Sequence, residues 1–155
     1  MRLVGHTPKI TLNAQTALKT LFCAFCVLET KMIEDWSKYP NFARNEFKCS
    51  HTGDCDMDPE FMSALQALRD QFGPMQISSG YRAPSHPTEA RKAKPGTHST
   101  GKAADISVSR GDAVKLLRLA MMDGRFTGFG IQQKGAGRFI HLDSTTTNRP
   151  MIWSY

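Results

Sequence analysis

The segment from Asp58 to Pro74 constrains the fold most, because both ends of one amphipathic helix can be read in it. Asp58 is a residue type that caps helices, and Pro59 stands at the first helical position, where proline is favoured. Apolar residues then recur at spacings of three and four until Gly73 and Pro74 end the pattern. We therefore predict a helix whose core face carries Phe61, Leu65, Leu68 and Phe72.

Short apolar segments separated by turn residues follow this helix. We predict strands in MQISSGYR, AADISVS, FTGFGIQ and RFIHLD, and the turn KGAG predicts that the last two form a hairpin. A second helix is expected in DAVKLLRLAMMDG, with a core stripe of Val114, Leu117, Ala120 and Met121. The segment APSHPTEARKAKPGTHSTGK is too rich in Pro, Gly and Ser for regular structure, so we expect a loop. This order predicts an α+β fold with a small, mainly antiparallel sheet and flanking helices.

The chain length of 155 residues suits a single hydrophobic core, which we place in residues 32–155. Residues 1–31 read differently from the rest, and two interpretations stay open for them. Either they form a weakly packed helix, or they are upstream sequence added by an early start codon and the working protein starts at Met32. With 40 % hydrophobic and 22 % charged residues, the chain has the composition of a folded globular protein.

The formal net charge of +6 favours an anionic partner. Nucleic acid is not expected, because the basic residues are scattered and no zinc-finger or RNP-like motif is present. No run approaches the roughly 20 apolar residues that span a bilayer, and no clear signal peptide can be read, so we expect synthesis in the cytoplasm.

The pair Cys49 and Cys55 flanks a turn rich in Gly and Asp. Such a pair forms a disulfide in an oxidising compartment, or it stays as two thiols, and the sequence leaves both alternatives open.

Polar residues occur where the predicted strands would otherwise be apolar. They are Arg82, Asp105 and His141, and His98 precedes Asp105 in the loop. Two imidazoles and one carboxylate are the ligand set of a catalytic zinc site, in which a fourth position stays open for water. The small residues around His98 and Asp105 let the backbone fold tightly enough to bring both to one ion. The alternative is that none of these residues binds a metal. Asp105 would then cap or pair locally, His98 would be an exposed loop residue, and His141 would be a strand histidine with hydrogen-bond partners for its ring nitrogens.

The segments SSGYRAPSHP, GTHSTGKAADIS, GFGI, FIHLD and RPMIWSY resemble the zinc D-alanyl-D-alanine carboxypeptidase family of bacterial and phage peptidoglycan peptidases. The resemblance runs in order from about Asn41 to Tyr155. It implies a hedgehog and D-Ala-D-Ala peptidase-like fold and one zinc ion held by His98, Asp105 and His141. It also implies that Arg82 contacts the substrate carboxylate or the developing oxyanion, as a permanently charged, forked guanidinium can.

The general base is where the chain departs from many relatives, which place a carboxylate three residues before the last histidine. That position is Arg138 here, and an arginine cannot accept a proton at neutral pH. Asp143 is the nearest carboxylate, and it either orients His141 or acts as the base. Further candidate substrate contacts are Ser79, Tyr81 and His86, with a structural hydroxyl as the alternative for Ser79 and an exposed loop position for His86.

The resulting hypothesis is a monomeric zinc metallopeptidase that cuts an amide bond in peptidoglycan stem peptides, as a D,D-carboxypeptidase or an endolysin-like endopeptidase. It would act on the cell wall, in the periplasm or outside the cell, and a phage or prophage origin fits this role. The rival hypothesis is an inactive zinc-containing protein that binds the wall or has a structural role in a phage.

Overall fold

The computed structural model describes residues 33–155. The segment 1–31, for which the sequence leaves two interpretations, lies outside the described residues, as does Met32. Four α-helices are present in the described part, at Arg44–Phe47 (α1), Pro59–Phe72 (α2), Pro87–Ala90 (α3) and Arg110–Asp123 (α4). The strands are Gln76–Ser79 (β1), Ala103–Ser107 (β2), Gly128–Gln132 (β3), Phe139–Asp143 (β4) and Met151–Ser154 (β5). Two short 3-10 turns lie at Trp36–Lys38 and Thr97–Thr100.

The helix read from the sequence is confirmed as α2. The Asp58 side chain accepts a hydrogen bond from the backbone N–H of Phe61 at 2.8 Å, which caps the first turn. Gly73 ends the helix with a φ of 104°, a backbone conformation that glycine adopts without strain. Three of the four predicted core residues, Phe61, Leu65 and Leu68, are fully buried, and Phe72 is partly buried.

The sheet has five strands in the order β1-β2-β4-β3-β5 and is mainly antiparallel, as predicted. Strands β3 and β4 form the expected hairpin, and β2 pairs with β4 and with β1. The fifth strand was not predicted, and it pairs with β3 in parallel. The small α+β class inferred from the order of elements is therefore confirmed.

The two faces of the sheet differ in chemistry because side chains alternate along each strand. One face carries Ala104, Ile106, Ile140 and Leu142, all fully buried in a core that also contains α2 and α4 residues. The other face carries Asp105, His141 and Asp143, which are polar and also buried. The long helices α2 and α4 cover the first face, and the second is the face of the candidate site.

The stripe predicted on the second helix is wrong at two positions. Val114 and Met121 are 58 % and 48 % exposed, whereas Ala113, Leu116 and Ala120 are buried. The helix α4 is thus rotated so that two alanines face the core, where their small side chains allow close packing. Ala120 was predicted correctly, and Leu117 is partly buried.

The predicted loop between β1 and β2 is more regular than expected, since it contains α3 and the turn Thr97–Thr100. Cys49 and Cys55 are buried as separate thiols, so the disulfide alternative is not realised in this structure. Within residues 33–155, none of the helices has the length and hydropathy to cross a membrane.

Candidate metal centre

One row of directly paired residues crosses all five strands and builds the candidate site. Ser79 pairs with Asp105, Asp105 with His141, His141 with Gly130, and Gly130 with Trp153. Directly paired residues point to the same face of a sheet. The sheet register therefore places a carboxylate and an imidazole side by side, with glycine as the next neighbour of the imidazole.

The ring of His98 completes the cluster from the turn Thr97–Thr100. Its Nε2 lies 3.2 Å from Nδ1 of His141 and 3.3 Å from Oδ1 of Asp105. Nδ1 of His141 lies 2.8 Å from the same Oδ1. All three side chains are nearly inaccessible to solvent, with residue exposures of 5 % or less. The structure thus brings together the three residues that the sequence analysis selected as ligands.

His98 is held by the backbone in one orientation. Its Nδ1 lies 2.6 Å from the carbonyl oxygen of Gly80, and because a carbonyl only accepts, Nδ1 carries the proton. In the neutral ring, Nε2 then presents its lone pair to Asp105 and His141. The turn itself ends at Gly101, whose φ is 71° and whose missing Cβ would meet the Asp56 carbonyl oxygen.

His141 is oriented from its other side by Asp143. Nε2 of His141 lies 3.4 Å from Oδ2 of Asp143, which directs the opposite nitrogen, Nδ1, toward the cluster. The Asp143 carboxylate is fully buried and accepts from Arg149 through Nε at 3.1 Å and Nη2 at 2.6 Å. It also accepts from the backbone and hydroxyl of Thr145. Both oxygens of Asp143 therefore have hydrogen-bond donors, with Arg149 on each of them.

The electrostatics of the cluster favour positive charge at its centre. Burial by itself raises the pKa of a carboxyl group, but the hydrogen bonds that His141 and His98 donate when their inner nitrogens are protonated outweigh it and hold the pKa of Asp105 well below its ordinary value. Burial lowers the pKa of an imidazole, yet Asp105 and Asp143 together raise the pKa of His141. The same carboxylates would stabilise a divalent cation bound at this position.

Arg82 lies beside the cluster and binds one of its members directly. Nη2 of Arg82 donates to Oδ2 of Asp105 at 2.8 Å, and Nε donates to the hydroxyl of Ser79 at 3.0 Å. Because Oδ2 is taken by Arg82, Asp105 turns Oδ1 toward the two histidines. The guanidinium side chain is 22 % exposed, so part of its fork still faces solvent.

The donor set and its spacing fit a zinc ion. Ligand atoms about 2.0–2.2 Å from a tetrahedral zinc ion lie about 3.3–3.6 Å from one another. The three distances between the His98, Asp105 and His141 atoms, 2.8 to 3.3 Å, lie at the lower end of this range or within about 0.5 Å below it. With both rings neutral and held in these tautomers, three lone pairs point at each other, an arrangement that a cation stabilises.

Three residues singled out from the sequence lie away from this cluster. The Tyr81 ring is part of the hydrophobic core, where burial raises its pKa. His86 caps α3, with Nδ1 accepting from the Thr88 N–H at 3.2 Å and Nε2 3.4 Å from the Ser50 hydroxyl. Arg138 donates to the Gly135 carbonyl within the β3–β4 turn.

Sequence reasoning missed three residues of the network. Glu89 is fully buried and contacts Arg82, Arg149 holds Asp143, and Trp153 lies with its ring 5.3 Å from the His141 ring. The available signals were weak. An acid and a base in polar loops look like solvated residues, and Trp153 stood out only as part of the closing segment RPMIWSY.

Comparison with known protein families identifies a family to which the chain is similar. A profile of the family described as Peptidase M15 matches residues 40–143, which is more than half of the chain and includes all three clustered residues. No curated protein and no solved structure gives a significant match.

Proposed function

The chain belongs to the Peptidase M15 family of zinc D-Ala-D-Ala carboxypeptidases, and on this premise we propose that it hydrolyses an amide bond in peptidoglycan stem peptides. The family is zinc-dependent, and the cluster of His98, Asp105 and His141 has the composition and spacing to hold that metal. We propose these three residues as the ligands of one zinc ion. The observation that carries the proposal is the convergence of their three donor atoms within 3.3 Å of one another.

Zinc bound there would supply a Lewis acid for the scissile carbonyl and a coordinated water with a pKa lowered toward neutrality. The protein's own contribution is orientation. The Gly80 carbonyl fixes the proton of His98 on Nδ1, and Asp143 directs Nδ1 of His141 inward. Arg82 leaves one oxygen of Asp105 free for the ion. A ligand set held in this way keeps its geometry while substrate enters.

Of the two roles open to Asp143, orientation of His141 is the one that the contacts support. A general base needs a lone pair that can reach the reacting proton. Both Asp143 oxygens accept from Arg149, and Oδ1 also accepts from Thr145. Burial by itself raises the pKa of Asp143, but hydrogen bonds with His141, Arg149 and Thr145 outweigh it and hold that pKa well below its ordinary value. A carboxylate so stabilised is a poor proton acceptor.

Arg82 is our proposed substrate contact. Its solvent-facing N–H groups lie beside the cluster, where they can bind a substrate carboxylate or stabilise the charge that develops on the attacked carbonyl. Ser79 holds the guanidinium through Nε, so its role in this proposal is support of Arg82. An amide next to a terminal D-amino acid would place a carboxylate within reach of Arg82.

The proposed site of action is the bacterial cell wall, outside the cytoplasm. The net charge of +6 would concentrate the protein on an anionic wall polymer. We propose that the working unit is a monomer, because the clustered residues all come from one chain.

Digestion of purified peptidoglycan followed by mass spectrometry tests the proposal. The wild-type protein loaded with zinc should release fragments with new amine and carboxylate ends. His98→Ala should release none, and the control His51→Ala, which changes an exposed histidine outside the cluster, should behave as wild type. Unchanged fragment masses with the wild type would remove the peptidase proposal. Equal cleavage by His98→Ala would remove the ligand assignment.

A second candidate function is a wall-binding or phage structural protein that keeps the metal but has lost catalysis. The observation that favours it is the position of Arg138, which is turned to the Gly135 carbonyl where many relatives have a carboxylate. Such a protein would sediment with the wall in the same assay and release no new fragments.

A further inference from the structure

Glu89 is a fully buried carboxylate in the loop between β1 and β2, and the proposed chemistry gives it no role. Its side chain has no solvent exposure, although the loop around it is rich in polar residues. Removing a carboxylate from water is costly unless it is paired and hydrogen-bonded. Its partners therefore show what the buried charge is for.

Three groups surround the Glu89 carboxylate. Nζ of Lys92 lies 2.8 Å from Oε1 and 2.9 Å from Oε2, and the backbone N–H of Gly96 donates to Oε2 at 2.6 Å. Nη1 of Arg82 lies 3.7 Å from Oε1. Together these donors lower the pKa of Glu89 even though burial opposes them.

Two of these contacts lead directly to the metal centre. Gly96 immediately precedes the turn Thr97–Thr100, so the bond to its N–H fixes the start of the turn that carries His98. Arg82 uses its other terminal nitrogen to bind Asp105 at 2.8 Å. The buried Glu89 carboxylate thus contacts Gly96, which holds the turn of His98, and Arg82, which holds Asp105.

The space around the carboxylate is also fitted to this arrangement. A Cβ at position 96 would lie 2.8 Å from Nζ of Lys92 and 3.1 Å from Oε2 of Glu89, so a larger residue there would displace the end of the Lys92 side chain and crowd the carboxylate. Buried ion pairs add little net stability over apolar packing, and their best-attested use is to specify one arrangement.

We propose that Glu89 is a positioning residue of the metal centre, which fixes the His98 turn through Gly96 and the Asp105 carboxylate through Arg82. The inference rests on the proposed metal site but not on hydrolysis. Residues that orient metal ligands from outside the coordination sphere typically change metal affinity by about 10–100-fold when they are replaced. Glu89 does not contact the clustered residues itself but acts through Gly96 and Arg82. We therefore expect an effect in the lower part of that range.

Metal titration of the full chain tests the proposal. Wild type, Glu89→Gln and the control Asp123→Asn are titrated with zinc in competition with a chromophoric chelator, and with Co²⁺ to record the visible absorption of the bound ion. Glu89→Gln keeps the size of the side chain but removes its charge. Asp123 pairs with Arg125 at the end of α4, away from the site, so its variant removes an ion-paired carboxylate elsewhere.

We expect Glu89→Gln to raise the zinc Kd by about tenfold and to shift the Co²⁺ absorption bands, and Asp123→Asn to do neither. A role in stability alone would lower the melting temperature and leave the Kd and the spectrum of the folded protein unchanged, and that result would overturn the proposal. If Glu89→Gln fails to fold, Lys92→Met replaces it, because Lys92 holds both Glu89 oxygens and is 42 % exposed. The same direction of change is expected, and an unchanged Kd in Lys92→Met would contradict the inference.

The outcome is separable from that of the proposed function. A wild-type protein that binds zinc but cuts no peptidoglycan would end the peptidase proposal, while the effect of Glu89→Gln on the Kd would still decide this one.

Discussion

Replacement of Arg149 by methionine should lower the free energy of unfolding of the metal-free protein by about 3–5 kcal/mol. Arg149 is the only Arg or Lys side chain that the described structure shows within hydrogen-bonding distance of Asp143, and it contacts both carboxylate oxygens. The Asp143 side chain has no solvent exposure, and Arg149 is 12 % exposed. Methionine fills a similar volume but leaves a buried charge with only hydrogen bonds from Thr145 and His141.

The chain offers a matched control for this change in the pair Asp123 and Arg125. Arg125 binds Asp123 in the same two-pronged way, through Nε at 2.7 Å and Nη2 at 2.6 Å, but its side chain is 49 % exposed. Water can replace the guanidinium there, so Arg125→Met should cost less than about 1 kcal/mol. The Asp123 side chain is 7 % exposed, so the exposure of the guanidinium is the main difference between the two pairs.

Urea denaturation at pH 7 with a chelator present, followed by circular dichroism, measures both effects. The double variant Arg149→Met with Asp143→Asn removes the stranded charge and should recover part of the loss. Equal and small effects of Arg149→Met and Arg125→Met on the free energy of unfolding would refute the reasoning, because the buried Asp143 carboxylate would then be stable without its guanidinium partner.

Three further changes give specific expectations. Gly130→Ala should weaken zinc binding by about tenfold in a competition titration, because its Cβ would lie 2.8 Å from the Trp153 ring and 2.9 Å from Cβ of His141; an unchanged Kd would show that the ring has room to move. Burial raises the pKa of Cys55 to about 11 from 9.0, so its neutral form stabilises the fold below pH 9 and this contribution is lost as the pH rises toward 11. Cys55→Ala should therefore flatten the loss of unfolding free energy between pH 9 and 11, and equal slopes in denaturation series would contradict this. Tyr81→Phe should leave the rate of peptidoglycan digestion unchanged, because the Tyr81 ring lies in the hydrophobic core. A large loss of rate would indicate that the Tyr81 hydroxyl contacts the substrate.

The sequence was informative where a local pattern determines structure. The capped helix beginning at Pro59 follows from Asp58, Pro59 and the terminal glycine, because each acts within one turn of the helix. For His98, Asp105 and His141 the residue pattern left two interpretations open, and the resemblance to the zinc peptidase family selected them as ligands; the structure does bring the three side chains together.

The errors arose where distant parts of the chain decide the outcome. Strand β5 is four residues long and pairs in parallel with β3, so nothing local marks it as a strand. The core side of α4 was assigned from large apolar residues, whereas Ala113 and Ala120 are buried and Met121 is not. Small residues at a close helix contact carry little signal until the packing partner is known.

The buried ionic network was missed for the same reason. Glu89 and Arg149 stand in polar, proline-containing segments, where a charged residue is usually solvated. Their burial depends on Arg82 and Asp143, to which they are joined only by the fold.

X-ray absorption at the zinc edge of the loaded full chain tests the central claim most directly. Two imidazoles and a carboxylate around one ion predict one zinc per chain with nitrogen and oxygen neighbours at about 2.0–2.1 Å and the scattering pattern of imidazole rings. His98→Ala should lose this bound ion. Sulfur neighbours at about 2.3 Å, which would point to cysteine ligands, or the same spectrum from His98→Ala, would contradict the claim that these three side chains form the metal centre.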